Sequence, residues 1–426
     1  MSITAIGRIL IIAHCFPPEN SVGALRPYRF FKYLPKFGYA THVVTASDQD
    51  PCNRPNGVYH SVDPLLRNSG VRRIMRTCLE YLHPGTGPTL GWVPSAYATA
   101  RAVIESVPIS VVLSTSPPPP AHLTAFWLKR RYPGLKWVAD FRDPITENPV
   151  SYATTREGRV LSRTSSKFGR VWDSWMERLI FRHADLLIAN TDSTAKMWRS
   201  SYPQSRHKIT HIWNGFDPEE KIGPAVIPER GYRVLAHVGE IYGGRHPGIL
   251  LASLRRLIEG RRLDPARFQV RLIGPIDRRT ILDREVLDIL IGKGCVVVEP
   301  GVASPMEAAQ RMAEVDFLLL IDWVEDRSGL QVPSKLYPYL RIGRPILSIT
   351  KKDSPVARIL ARSGVPFAML HPDDCDQTVD EKVQAFIELS SEPTRANDWF
   401  RRNFDGERQV QHLAGLLNRL HSELTP

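Results

Sequence analysis

The sequence predicts an α/β fold built from two facing, doubly wound parallel-sheet domains of Rossmann-like type. Three observations predict it. Short apolar runs alternate with longer amphipathic segments, the alternation stops once and then restarts, and 426 residues exceed what one core organises.

In the first half the strand-like runs are Ile9–Ala13, Thr41–Thr45, Val111–Ser114, Trp137–Ala139, Leu186–Ala189 and Ile209–Trp213. They are too short and too apolar for surface helices. Between them, Leu25–Phe37 and His122–Tyr132 carry helical spacing. The rhythm breaks after Asn214-Gly215-Phe216-Asp217, where the polar, Pro- and Gly-containing stretch Pro218–Gly231 reads as a linker. It resumes with Val234–Val238, Gln269–Ile273, Val296–Val298, Phe317–Ile321 and Pro345–Ile349. The expected organisation is therefore a domain over 1–217, a linker over 218–231 and a second domain over 232–395. A C-terminal helix over 396–426 is expected to pack back toward the first domain. Two such halves imply a cleft between them, the default place for a ligand.

Composition narrows the function classes. No apolar run approaches the roughly 20 residues that span a bilayer. Ile9–Ala13 is short and lacks a small-residue cleavage site, so it reads as a buried first strand rather than a signal peptide. Cys15, Cys52, Cys78, Cys295 and Cys375 are scattered, odd in number and never spaced as CxxC. That argues against a disulfide framework or zinc site and for the reducing cytoplasm. The histidines show no metal-ligand spacing. The net charge of +12 points to an anionic partner. No helix-turn-helix, RNP pattern or zinc finger accompanies it, so phosphorylated ligands and an anionic membrane surface rank ahead of nucleic acid.

The most informative stretch is Ser328–Leu347. A buried strand runs into a Gly-containing loop, Pro333 sits where a helix would begin, and Ser334 and Lys335 fall in its first turn. Free backbone N–H groups, a hydroxyl and an ammonium group at the carboxyl end of a strand make a cradle for phosphate or diphosphate. In the second domain's first loop, Gly239, Gly243 and Gly244 lead to Arg245. Its spacing fits neither the dinucleotide fingerprint nor the Walker pattern, so it reads as a flexible loop delivering a guanidinium to a diphosphate or as a solvated turn. In the first domain, Pro17–Ala24 places Gly23 near a helix start, close enough for backbone to approach a ligand. An ordinary βα loop fits the same residues equally well. Asp140, Arg142 and Asp143 follow the strand Trp137–Ala139. A carboxylate there is suited to orient hydroxyls or take a proton, and an Asp–Arg brace of the loop is as good a reading. Arg67, Arg72, Arg73 and Arg76 near Met75 and Leu79, and Arg156, Arg159, Arg163, Lys167 and Arg170 before Trp172 and Trp175, are the candidates for anionic headgroups. Solvated faces are the commoner outcome for such runs.

Taken in order, IIAHCFPPENSVGALRPYRFFKYLPKFGYATHVVTAS, LSTSPPPPAHL, VADFRDP, ADLLIANTDST, HIWNGFD, HVGEIYGGRHP and SGLQVPSKLYPYLRIGRPIL resemble glycosyltransferase family 4, the retaining nucleotide-sugar enzymes of GT-B fold. The resemblance covers nearly the whole chain and does not specify the sugar. It implies that the Gly23 loop approaches the donor and the transferred sugar. It further implies that Arg245, Lys335 and Ser334 meet the donor diphosphate, and that Asp140, Arg142 and Asp143 contact the sugars. The implied reaction moves a glycosyl unit from a nucleotide diphosphate-sugar to a hydroxyl of a lipid-linked or glycan acceptor, with retention. No cofactor or metal is required where cationic side chains stabilise the leaving diphosphate. The implied setting is bacterial surface polysaccharide or glycolipid synthesis, in the cytoplasm or peripheral on the inner membrane face. Where the family carries a ribose-binding glutamate this chain has Pro338, and Leu330 stands at an earlier glutamate position. A proline inside the helix would cost on the order of 3 kcal/mol. A non-catalytic nucleotide-sugar-binding scaffold and a nucleotide-sugar epimerase are the competing readings. HIWNGFD and the SPPPP–DFRDP pair favour the transferase.

Overall fold

The computed structural model describes the chain except for residues 1–5, 20, 49–53, 66–69, 83–86, 148–151, 155–159, 163–166, 223–225, 243–244, 278–282, 303, 325–327 and 423–426. The chain forms two compact units, the first comprising Met1–Asp217 with Gly406–Pro426, the second Pro218–Asp405.

Unit 1 runs β1 (Gly7–Ile12), α1 (Val22–Tyr33), β2 (Tyr39–Thr45), β3 (Val58–His60), α2 (Gly70–Leu82), α3 (Val93–Ser106), β4 (Val111–Ser116), α4 (Pro120–Arg131) and β5 (Lys136–Phe141). It continues through β6 (Tyr152–Thr154), β7 (Val160–Ser162), α5 (Lys167–His183), β8 (Leu186–Ala189), α6 (Asp192–Ser201) and β9 (Ile209–His211). Its main sheet has the order β3-β2-β1-β4-β5-β8-β9 and is parallel throughout; β6 and β7 pair separately. Both faces are covered by helices, and so β1 from Ile9 onward and β8 read as continuous apolar runs.

Unit 2 consists of β10 (Arg233–Val238), α7 (Gly248–Glu259), β11 (Phe268–Ile273), α8 (Arg284–Gly292), β12 (Val296–Glu299), α9 (Pro305–Ala313) and β13 (Phe317–Ile321). There follow α10 (Leu336–Ile342), β14 (Ile346–Ile349), α11 (Pro355–Ser363), β15 (Phe367–Leu370), α12 (Asp376–Ile387) and α13 (Asp398–Phe404). The sheet order is β12-β11-β10-β13-β14-β15, again parallel. The strand order reverses at β1/β4 in one unit and at β10/β13 in the other. Loops leaving the carboxyl ends of those strands are where ligands collect in open α/β sheets.

Several elements differ from the sequence expectation. The helix expected over Leu25–Phe37 ends at Tyr33, and a 3-10 turn takes over at Leu34–Phe37 because Pro35 has no N–H to continue it. The strand expected over Trp137–Ala139 extends to Phe141, which carries Asp140 into the sheet opposite Thr115 and Ile188. The single helix expected over 396–426 is two, separated at Asp405, whose backbone is extended. The second of them, α14 (Gly406–Ser422), buries Val410, Leu413 and Leu417 against Ile9, Ile11 and Tyr33 of unit 1. Gly406 donates its N–H to Phe216 O at 2.9 Å, so α14 starts beside the last residues before unit 2.

The proline expected to break the 336–342 helix does not. The helix starts one residue after Lys335, which makes Pro338 its third residue. The N–H of that position has no intrahelical partner in any helix, so its loss leaves the ladder intact. The other end is more constrained. Gly343 closes the helix at φ +81°, and a Cβ there would lie 2.3 Å from Thr394 O, a backbone atom. Replacing Gly343 by Ala should lower the stability of unit 2 by about 1–3 kcal/mol. Urea unfolding of the transition that unit 2 carries measures it; an unmoved midpoint contradicts the fit.

Candidate functional site

In unit 2 the candidate residues converge on the end of β10. Gly239 has φ +117°, a conformation open to glycine, and a Cβ at that position would sit 2.4 Å from Lys335 Cε. The Lys335 stem therefore occupies the space a side chain would fill. Gly274, after β11, packs against the Gly239 backbone from the other side, where its own Cβ would lie 2.7 Å from Gly239 O. Backbone hydrogen bonds close the two loops together, from Gly239 N to Ile273 O at 2.7 Å and from Ile241 N to Pro275 O at 2.9 Å. Beneath, Tyr339 of α10 accepts from Val238 N at 3.2 Å and donates to Leu319 O at 3.4 Å, fixing the helix that follows Lys335 to β10 and β13.

Lys335 Nζ lies 3.5 Å from Glu240 O and pairs with no carboxylate among the described residues. Burial, helped by the neighbouring Arg245, pushes its pKa from 10.5 down to about 8. The Arg245 guanidinium lies 4.9 Å from the Tyr242 ring centroid, and its buried Nε has no hydrogen-bond partner among the described residues. Lys335 and Arg245 thus stand near one another with neither in an ion pair among the described residues, although Glu240 acts on Lys335 and Asp322 on Arg245 at longer range; the arrangement suits an anionic ligand. His237, fully buried below them with Nδ1 3.0 Å from Leu319 O, is driven down to about 3 by burial and by Lys335, so it remains neutral and adds no third charge. Sequence reasoning missed Asp322 at the end of β13. It accepts from Thr350 Oγ1 and Trp323 N, each at 2.8 Å, and burial raises its pKa to about 6. The signal was present as a lone carboxylate directly after FLLLI.

Ser334 lies on the turn before α10 and is exposed. It does not occupy the first turn of a helix, and neither does Lys335, which is the residue before Leu336. The cradle is accordingly built from a lysine held over a glycine rather than from a row of helix-start N–H groups. Gly243 and Gly244 lie outside the described residues, as do Arg67, Arg156, Arg159 and Arg163.

In unit 1 the sequence candidates separate. Asp140 is completely buried, and its oxygens take Arg26 Nε at 3.1 and 2.9 Å, Arg26 Nη2 at 2.7 Å and Thr115 Oγ1 at 2.9 Å. The direct contact with a sugar that the resemblance implied does not fit this burial: β5 runs two residues further at its carboxyl end than expected, and Asp140 braces α1 against the sheet. The bracing partner is Arg26, not the adjacent Arg142. Arg142 instead reaches the first loop. Its Nη1, buried and without a partner among the described residues, lies 3.6 Å from the point a Gly23 Cβ would occupy. Ser21 Oγ, also buried and unpartnered among the described residues, lies 3.5 Å from the same point. Gly23, Ser21 and Arg142 are therefore brought together around one small space. Asp143 Oδ2 stands 3.8 Å from Arg142 Nε. The loop that carries these two is held by Glu177, which accepts from Ile145 N, Thr146 N, Thr146 Oγ1 and Tyr202 Oη at 2.7–3.1 Å. Three of these bonds come from the loop itself and make it a fixed platform, although burial raises the Glu177 pKa.

A fold of two parallel-sheet Rossmann-like units is that of the GT-B glycosyltransferases. Residues 27–220 match the model of Glycosyltransferase Family 4. Among solved structures, sucrose-phosphate synthase from Thermosynechococcus elongatus is similar at TM-score 0.60 and 11% identity, covering 98% of this chain and 99% of that one. The lipopolysaccharide outer core galactosyltransferase WaaB, in its apo form, is similar at TM-score 0.59 and 13% identity, covering 96% and 99%. HepE from Anabaena, in complex with UDP and glucose, is similar at TM-score 0.56 and 13% identity, covering 97% and 99%. At these identities the likeness concerns the fold. No curated protein sequence matches the chain.

Replacing Asp140 by Asn should destabilise unit 1 by about 3–5 kcal/mol, because it leaves the buried Arg26 charge without its counter-ion. Denaturant unfolding measures this, and a loss under 1 kcal/mol would show that the carboxylate and Arg26 are not a buried pair.

Proposed function

We propose that the protein transfers a glycosyl unit from a nucleotide diphosphate-sugar to a hydroxyl acceptor, with retained anomeric configuration. The observation that carries this reading is the Lys335–Arg245 pair at the end of β10, neither of which is ion-paired among the described residues. As the bond from the anomeric carbon to the leaving oxygen breaks, negative charge grows on the diphosphate, and two fixed cations stabilise that charge more than they stabilise the ground state. The bonded β10 and β11 loops hold the cations in place beforehand. In unit 1, Arg142 Nη1 beside the Gly23 loop offers a donor for sugar hydroxyls, with Asp143 next to it and Asp140 as the support beneath. Pro338 removes the ribose carboxylate of the family without disturbing the helix.

The donor class is supported by HepE, whose structures hold UDP and UDP-glucose. A setting in bacterial surface polysaccharide or glycolipid synthesis is supported by WaaB and by WaaG, a glycosyltransferase involved in lipopolysaccharide biosynthesis. The acceptor of this reading is a lipid-linked or glycan hydroxyl at the cytoplasmic face of a membrane.

Calorimetric titration with UDP, other nucleoside diphosphates and their sugars, followed by an assay for slow donor hydrolysis, tests the reading. Saturable binding with hydrolysis is expected. No binding to any of them refutes it, and binding without hydrolysis or transfer supports the scaffold. Lys335→Ala should weaken diphosphate binding by about 1.5–3 kcal/mol, and an unchanged affinity removes Lys335 from the site.

The pH dependence has a definite sign. In the free protein Lys335 loses its proton near 8, and a bound diphosphate raises that value again. Affinity should be full below about 8 and fall as the pH climbs through it, with proton uptake on binding. Titrations in buffers of different ionisation enthalpy detect that proton; a flat affinity between pH 7 and 10 would contradict the assignment.

A further inference from the structure

We propose that α2 is an interfacial helix that docks unit 1 on an anionic lipid surface. Val71, Ile74, Met75 and Cys78 recur at i, i+3, i+4 and i+7, so they form one apolar stripe along the helix. In a helix of a globular domain such a stripe faces the core. Here it faces outward: Val71 is 72% exposed, Ile74 66% and Met75 51%, and Cys78 is exposed with them. The helix is held to unit 1 through the 3-10 turn that follows it, Gly87–Trp92. Trp92 is fully buried and donates its indole N–H to Ser61 O at 3.0 Å.

The charges identify the occupant. Arg72, Arg73 and Arg76 lie on the other side of the helix from the stripe, and no acidic residue occurs from Gly70 to Leu79. Arg72 and Arg73 are exposed, and Arg76 is half-buried. A second copy of the chain would bring like charges together at the same helix. A bilayer surface with anionic headgroups offers an apolar layer for the stripe beneath a plane of phosphates for the guanidinium groups, whose alkyl stems bridge the two. No helix among the described residues is long and apolar enough to cross a membrane, so α2 would lie on the surface. The inference stands apart from the sugar-transfer reading, since none of its residues belongs to the diphosphate site.

Co-sedimentation of the full chain with phosphatidylcholine vesicles, with and without phosphatidylglycerol, tests it. Binding to the anionic vesicles should exceed binding to the neutral ones at least tenfold and weaken at high salt. The basic chain as a whole is attracted to such vesicles, so the deciding variant keeps the charge. Ile74→Ser with Met75→Ser should weaken partitioning at least tenfold while circular dichroism and thermal midpoint stay unchanged. Val71→Ser, on the same stripe, gives an independent reading if that pair fails to fold. Replacing Arg72, Arg73 and Arg76 by Gln should remove the preference for phosphatidylglycerol. Partitioning untouched by the serine variants overturns the proposal, as does absence of binding at low salt. A concentration-dependent dimer that the serine variants abolish, without vesicle binding, assigns the stripe to a second copy instead.

Discussion

Unit 1 is organised around one guanidinium. Arg26 Nε and Nη2 donate to the Asp140 carboxylate, and Nη1 donates to Trp213 O at 2.9 Å and Asn214 Oδ1 at 3.3 Å. A single buried side chain on α1 thereby fixes the end of β5 and the segment that leaves the sheet. Removing two charges from water is costly, and the pair persists because Thr115 and the Trp213 carbonyl satisfy the remaining positions. The planar fork of Arg makes this geometry available, and Lys in its place would supply one point charge without the second arm. The same helix face continues the pattern with Arg29 bonded to Gly215 O and with Lys32 and Tyr33 both on Asp217. The Asn214–Asp217 stretch is thus held by α1 along its whole length.

Unit 2 solves a different problem. Lys335 forms no ion pair among the described residues yet is held in place, and packing does what ion pairing does elsewhere. The missing side chain of Gly239 makes room for the Lys335 stem, Gly274 lets the neighbouring loop close beneath, and Tyr339 ties the following helix to two strands. Partial burial then lowers the basicity of the amine.

Much of this was legible in the chain. The strand runs and the single break in rhythm anticipated the two parallel sheets, because buried parallel strands are written as uninterrupted apolar residues. Gly239, Arg245 and Lys335 were singled out as glycines and lone cations following strands, and the structure brings them together at the end of β10. The errors share one cause. Strand ends and helix starts are set by pairing partners that are distant in sequence. Nothing local shows that β5 continues through Asp140, since its register depends on Thr115 and Ile188. Nothing local shows that α10 begins at Leu336, which turns Pro338 from a breaker into a tolerated residue. The apolar stripe of α2 was hidden differently: its period is that of an ordinary core helix, and only the exposure reveals which way it faces.

The position of α14 bears on how the polypeptide reaches this state. Val410, Leu413 and Leu417 complete a core whose other members begin at Ile9, and Asn418 accepts the Tyr39 hydroxyl at 2.5 Å. All of unit 2 lies between those residues in the chain. During synthesis the second unit therefore has its full complement of residues before the first does. Unit 1 must wait, with the α1 and β1 surfaces uncovered, until the last helix emerges. An interval of exposed apolar surface is thereby written into the order of the gene, and its length grows with every residue inserted in unit 2.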